Sequence, residues 1–211
     1  MTKVKIILID DHAVVRAGFK LLLAGNPAIE VVGEAERGEA VCQLYQDTQP
    51  DVVVLDLSMP GIGGLETIRR LCGRDPGAKI LVFSVHDEMV YVERAIAAGA
   101  KGYITKNSAP AILAEAVQKI AQGRTYLEAG LNQAGLSQLE DCRQLIASLS
   151  PREFDVFRLL ASGMTVHKVA DELCLGYKTV ANYSTQVKAK LNVGTLAELA
   201  RVAIALGVIE S

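Results

Sequence analysis

The chain has 211 residues, half of them apolar and 22% charged, with a net charge of −2, the composition of an ordinary soluble globular protein of one large or two modest domains. No apolar run approaches the roughly 18 residues of a membrane span, and "MTKVKIILIDD" is too short an apolar run, ended by two acids, for a signal peptide. Four scattered cysteines (Cys42, Cys72, Cys142, Cys174), without CxxC pairs or neighbouring histidine clusters, read as reduced thiols of a cytosolic protein and argue against zinc. Residues 1–122 hold 13 basic and 15 acidic side chains and residues 149–211 hold 7 and 6, a difference too small to argue for nucleic acid by itself.

Short apolar runs alternate with amphipathic stretches through the first half. The runs are "KIILI" (5–9), "IEVVG" (29–33), "DVVVL" (51–55), "KILVF" (79–83) and "KGYIT" (101–105). Helical candidates lie between and after them at about 12–24, 37–47, 63–73, 87–98 and 108–122. Five βα units of this size predict a doubly wound parallel sheet, flavodoxin-like in scale, with all strand C-termini along one edge.

After about residue 123 the strand signal disappears. Residues 123–148 are polar with several glycines and read as a linker that holds room for a short helix. From 149 onward the period is helical, and four helices fit in about 60 residues. Ser150, Pro151 and Glu153 form a helix start with a capping box, and Thr195 with Glu198 repeats it. Gly163 ends one helix, Thr165 caps the next, and "LGYK" (175–178) makes a short turn.

In "VVVLDLSMPGIGG" (52–64), an apolar strand stops at Asp56, and the glycines and Pro60 break the chain into a loop. Asp10 and Asp11 end the first strand, Ser84 ends the fourth and Lys106 follows the fifth. Taken singly, these are ordinary turn carboxylates, a strand-end hydroxyl and a surface lysine. In a parallel sheet they converge where open α/β sheets bind ligands. Three close carboxylates require a cation, and oxygen ligands without His or Cys suit Mg²⁺. An amine and a hydroxyl beside such a centre suit a phosphoryl group, with Asp56 as nucleophile.

These residues resemble the receiver domains of bacterial two-component response regulators, through "DD" after the first strand, "LDLSMPGIGGLE", Ser84 in "FSVHD" and Lys106 in "GYITK". The resemblance implies an α/β flavodoxin-like (βα)5 receiver over 1–122, in which Asp56 is the phospho-acceptor and helps Asp10 and Asp11 hold Mg²⁺. Ser84 and Lys106 contact the phosphoryl group, and Ser84 and Tyr103 act as switch residues. Lys106-Asn107 departs from the Lys-Pro of many receivers, with Pro110 the next proline.

In 165–173, Val166, Val169, Ala170 and Leu173 share one face; in 178–191, Val180, Val187 and Leu191 face inward. The opposite face carries Lys178, Ala181, Asn182, Thr185 and Lys188. On periodicity alone a plain helical bundle with a solvated face is the preferred reading. The stretch "LSPREFDVFRLLASGMTVHKVADELCLGYKTVANYSTQVKAKLNV" is similar to the LuxR-type helix-turn-helix of NarL/FixJ regulators, which reverses that preference. The resemblance implies an all-α, four-helix DNA-binding domain over 149–211. Its recognition helix enters the major groove, Thr179, Ala181, Asn182 and Thr185 lie at the DNA, and Lys178, Lys188 and Lys190 touch phosphates. The last helix pairs two subunits. Gly176, Ala181, Tyr183 and "TVHKVA" depart from the usual pattern, and with few cations non-specific binding is expected to be weak and its salt dependence shallow.

The whole chain then reads as a cytoplasmic transcription regulator without catalysis beyond its own phosphorylation at Asp56. A histidine kinase, two-fold duplex DNA and a second copy of the chain are its partners, with no membrane. Two alternatives stay open. One is an output domain that binds protein instead of DNA, suggested by Ala181 and Tyr183. The other is a Mg²⁺-dependent phosphohydrolase with an aspartyl nucleophile, although such enzymes carry a DxD motif where this chain has Asp10-Asp11-His12.

Overall fold

The computed structural model describes residues 3–108, 110–129, 131 and 145–209. The chain divides into two compact units, with the main boundary between Leu131 and Asn132.

In the first unit, strands β1 (Val4–Ile9), β2 (Ile29–Ala35), β3 (Val52–Leu55), β4 (Ile80–Ser84), β5 (Gly102–Thr105) and β6 (Tyr126–Leu127) form one sheet in the order β2-β1-β3-β4-β5-β6. Every pairing is parallel. Helices α1 (Ala13–Ala24), α2 (Val41–Thr48), α3 (Gly64–Arg74), α4 (Met89–Ala98) and α5 (Pro110–Ala121) connect the first five strands and link β5 to β6. All four residues of β3 and all five of β4 are buried, so both faces are covered and the strand sequences are continuously apolar. On one face, Ile6, Leu8, Val52, Val54, Leu81, Phe83 and Ile104 meet the α5 stripe Leu113, Ala116, Val117 and Ile120. Those four recur at i, i+3, i+4 and i+7, the spacing of a helix packed by one face.

Tyr126 and Leu127 correct the expectation that strand structure ends by 123. They lie in the stretch read as linker and extend the sheet by pairing with Gly102 and Tyr103. Residues 145–147 are helical; most of the stretch in which a short helix was expected, Cys142 included, lies outside the described residues.

The second unit contains α6 (Pro151–Ala161), α7 (Val166–Glu172), α8 (Tyr177–Lys190) and α9 (Leu196–Ala205). Both expected capping boxes form: Ser150 with Glu153, and Thr195 with Glu198. Thr165 caps α7 by accepting from the Lys168 N–H. Gly163 takes φ +88° just past α6. Phe154, Phe157, Val169, Val180, Val187, Leu199 and Ala203 close the core. The turn between α7 and α8 is made earlier than expected: Cys174 takes φ +51°, and Tyr177 already opens α8 from the N-cap Gly176. Among the described residues no helix is long and apolar enough to cross a membrane.

Candidate functional site

The sheet order reverses at β1, which has β2 on one side and β3 on the other, and this switch point opens a crevice at the strand C-termini. Asp10 follows β1 and Asp56 follows β3, so the two carboxylates flank that crevice. Asp56 is only 2% exposed and Asp10 5%. Lys106, immediately after β5, reaches both: its Nζ lies 2.8 Å from Asp56 Oδ2 and 2.6 Å from Asp10 Oδ2. Its backbone N–H donates to the Ser84 carbonyl at 2.7 Å, which sets the loop against the end of β4. The Ser84 hydroxyl is buried and accepts from the His86 N–H at 3.3 Å.

Charge is concentrated here at a cost. Burial raises the Asp56 carboxyl above its ordinary value, Lys106 opposes that by its charge and hydrogen bond, and Asp10 adds to the rise. Burial also works against the Lys106 ammonium, but Asp56 and Asp10 outweigh it and the amine titrates above its usual value. Asp56 Oδ1 is buried without a hydrogen-bond partner among the described residues. One ligand atom each from Asp10, Asp11, His12 and Asp56 lie within 4.8 Å of one another. An acidic cluster with an unsatisfied buried oxygen is a site that could bind a metal ion, and its oxygen donors fit a hard divalent cation.

The loop after β3 must pass close over Asp56. A Cβ at Gly64 would lie 2.4 Å from the Asp56 carbonyl oxygen and 2.5 Å from Leu57 Cα, so only glycine allows α3 to start there. Tyr103 is fully buried, and its hydroxyl donates to the His86 carbonyl at 2.8 Å.

The geometry adds neighbours that strand-end reasoning did not use. His12 Nδ1 lies 3.3 Å from Asp10 Oδ1 and 2.9 Å from Asp11 Oδ1. Arg16 donates to the Asp10 carbonyl. His86 Nε2 lies 3.0 Å from Ser58 Oγ, next to the acidic cluster. Adjacency of His12 to Asp11 was the only sequence signal for the first. The Ser58–His86 pair spans two loops and left no trace in spacing.

In the helical unit, α8 buries Val180 and Val187 and presents Lys178, Thr179, Asn182 and Thr185 to solvent, with Ala181 and Lys188 partly covered. Lys178 and Lys188 form no ion pair among the described residues. Lys190 is arranged differently from its neighbours: its Nζ lies 2.7 Å from Glu153 Oε2, tying α8 to the cap of α6. The Thr185 hydroxyl donates to the Ala181 carbonyl at 3.1 Å. His167 and Tyr177 stack with ring centroids 4.5 Å apart at the start of the two helices, a pairing the sequence did not suggest.

Residues 6–118 match the response regulator receiver domain family, and residues 147–203 match bacterial regulatory proteins of the luxR family. The chain is 38% identical over 208 residues to the transcriptional activator protein ExaE of Pseudomonas putida, covering 97% of each. It is 36% identical over 207 residues to the response regulator UvrY of Escherichia coli K12, covering 97% of this chain and 95% of that one. A LuxR-family two-component response regulator from Aurantimonas sp. SI85-9A1 superposes with a TM-score of 0.60 at 39% identity, over 62% of this chain and 93% of that one. RcsB from Salmonella enterica serovar Typhimurium, bound to promoter P1flhDC in the presence of the phosphomimetic BeF3−, superposes with a TM-score of 0.66 at 25% identity, over 95% and 98%. The chain therefore belongs to the two-component response regulators of the NarL/FixJ type, DNA-binding regulators of transcription that join a receiver domain to a LuxR-type helix-turn-helix.

Proposed function

We propose that Asp56 is the phospho-acceptor and that its phosphorylation by a partner histidine kinase controls DNA binding by the second unit. The observation that carries this reading is the Asp56 carboxylate itself: buried, held through Oδ2 by Lys106, and left with an unpartnered Oδ1 inside the acidic cluster. An Asp56 oxygen attacks the phosphorus of a phosphohistidine; the new O–P bond makes an acyl phosphate, the N–P bond breaks, and the freed imidazole leaves with the electron pair and takes a proton. Asp10, Asp11 and Asp56 would hold Mg²⁺, which would supply charge neutralisation for the phosphoryl oxygens. The Lys106 ammonium neutralises further charge, and the Ser84 hydroxyl donates to a phosphoryl oxygen. Ser84 and Tyr103 form the switch: Ser84 turns toward the new group and Tyr103 repacks beside it.

At the output end, α8 enters the major groove. Asn182 and Thr185 read base edges, Thr179 and Ala181 approach the DNA, and Lys178, Lys188 and Lys190 meet phosphates. For Lys190 that requires release from Glu153. Promoter binding by the Salmonella relative in the presence of a phosphomimetic supports the same pairing of events here. The active form is a cytoplasmic homodimer on a two-fold site, with a receiver that extends through β6, a linker after it and a DNA-binding domain over 149–211, and without turnover beyond Asp56. The test is intact mass after incubation of the full chain with Mg²⁺ and acetyl phosphate. Wild type gains one phosphoryl group and Asp56→Asn gains none; a phosphorylated Asp56→Asn would move the acceptor elsewhere.

A further inference from the structure

Glu128 stands one residue beyond β6, where the chain leaves the sheet, and one side chain there holds both flanks of Lys106. Its Oε2 accepts from the Thr105 N–H at 2.8 Å and its Oε1 accepts from the Ser108 hydroxyl at 2.6 Å. Its own N–H donates to the Tyr103 carbonyl at 3.1 Å. Thr105 Oγ1 and Ser108 Oγ lie 3.1 Å apart, so the carboxylate closes a small ring of hydrogen bonds around the loop that carries Lys106. Hydrogen bonds to an ionised acceptor are about twice as strong as neutral ones, and two on one carboxylate fix an orientation as well as a distance. The strand that delivers Glu128 is only Tyr126–Leu127, paired with Gly102 and Tyr103. So short a strand has little pairing of its own, and the carboxylate supplies much of what keeps it on the sheet.

We propose that Glu128 is a positioning residue of the phosphorylation site, which holds the Lys106 loop through Thr105 and Ser108 and couples its displacement to the chain that continues toward the second unit. The proposal rests on Asp56 being the acceptor. Lys106 Nζ is bonded to Asp56 and Asp10 in the unphosphorylated site, and a phosphoryl group on Asp56 gives it a new anionic partner. A shift of Lys106 moves Thr105, and Glu128 must then follow or let go. In either case the departing chain senses the event within two hydrogen bonds of the phosphoryl contact. Coupling of this kind needs an element with two arrangements, and a two-residue strand clipped by one carboxylate provides one.

The experiment is hydrogen exchange on the full chain, with and without acetyl phosphate and Mg²⁺, read at the amides of residues 126–129. Phosphorylation is expected to change wild-type exchange there by at least about 5-fold, the lower end of common coupling strengths. Glu128→Ala takes up phosphate but shows no phosphorylation-dependent change, because its exchange is already fast in both states. Glu128→Gln keeps an acceptor for Thr105 and a donor for Ser108, and retains most of the response. No change in phosphorylated wild type, or an undiminished change in Glu128→Ala, overturns the proposal. Should Glu128→Ala fail to fold, Ser108→Ala decides: a reduced response supports the coupling and a full one overturns it. A wild type that takes up no phosphate refutes the Asp56 assignment instead, so the two failures are separable.

Discussion

The two functional regions use charge in opposite ways. At the receiver edge, Asp10 and Asp56 are buried and joined to the largely covered Lys106, and Asp56 Oδ1 has no hydrogen-bond partner among the described residues. On α8, Lys178, Thr179, Asn182 and Thr185 stand in solvent, and Lys178 and the partly covered Lys188 form no ion pair among the described residues. A buried cluster discriminates by geometry: few ligands fit, and one missing group leaves charges without compensation. An exposed face discriminates weakly until a partner desolvates it, and each contact contributes a small, salt-screened increment. Chemistry belongs at the first region and reversible recognition at the second.

That contrast predicts a graded series of variants. The largest effect is at Asp56: Asp56→Asn abolishes phosphate uptake yet raises the receiver's melting temperature by a few degrees in calorimetry. The sign follows from burial, which holds the folded-state carboxyl above its ordinary value, so the native state prefers a neutral group there. A lower melting temperature would show that the Lys106 pairing outweighs desolvation.

Next is Lys106→Met, which strips the shared cation from two buried carboxylates and is expected to cost about 3–5 kcal/mol of receiver stability at neutral pH. The loss shrinks when Mg²⁺ is added, or when pH falls far enough to protonate a carboxylate; denaturant titration with and without Mg²⁺ reads both. Insensitivity to Mg²⁺ would remove the ion from the cluster.

Glu153→Gln is intermediate. Burial works against the Glu153 carboxylate, but Lys190 and the Ser150 cap outweigh it and hold it below the ordinary value of 4.5. Its contribution is present above 4.5 and lost as pH falls through the lowered folded value. The variant should destabilise the helical unit by about 1–2 kcal/mol at neutral pH and flatten the acid limb of its stability curve. An unchanged acid limb would show that ionised Glu153 contributes nothing to the acid stability of the unit.

Lys178→Ala has the smallest effect: DNA affinity falls uniformly across sequences, and the slope of log affinity against log salt decreases by about 1. A sequence-dependent loss would turn Lys178 into a base reader.

Legibility in the sequence divides along the same line. The five strands of the expected sheet and the residues at their ends were readable because a fully buried parallel strand is a continuous apolar run, and Asp56 interrupts one. The capping boxes at Ser150 and Thr195 were readable because caps are local, with donor and acceptor three residues apart. β6 escaped because two residues carry no period, and its partner strand lies some twenty residues back. Glu128 escaped for the same reason, its bonds to Thr105 and Ser108 spanning 23 and 20 positions. Lys190 looked like one more exposed cation of α8 because its partner Glu153 is 37 residues away. What spacing reveals is therefore periodic or local; what it hides are polar contacts made by single side chains across the fold.

The central claim is that charge acquired in the buried cluster controls the exposed face. Its most direct test is the DNA affinity of the full chain and of Asp56→Asn, each with Mg²⁺ and with or without acetyl phosphate, on a duplex obtained by in vitro selection. Tightening of the wild type by about 5-fold or more, with Asp56→Asn unmoved, is the predicted result. Equal affinities for phosphorylated and unphosphorylated wild type, or the same tightening in Asp56→Asn, would contradict it.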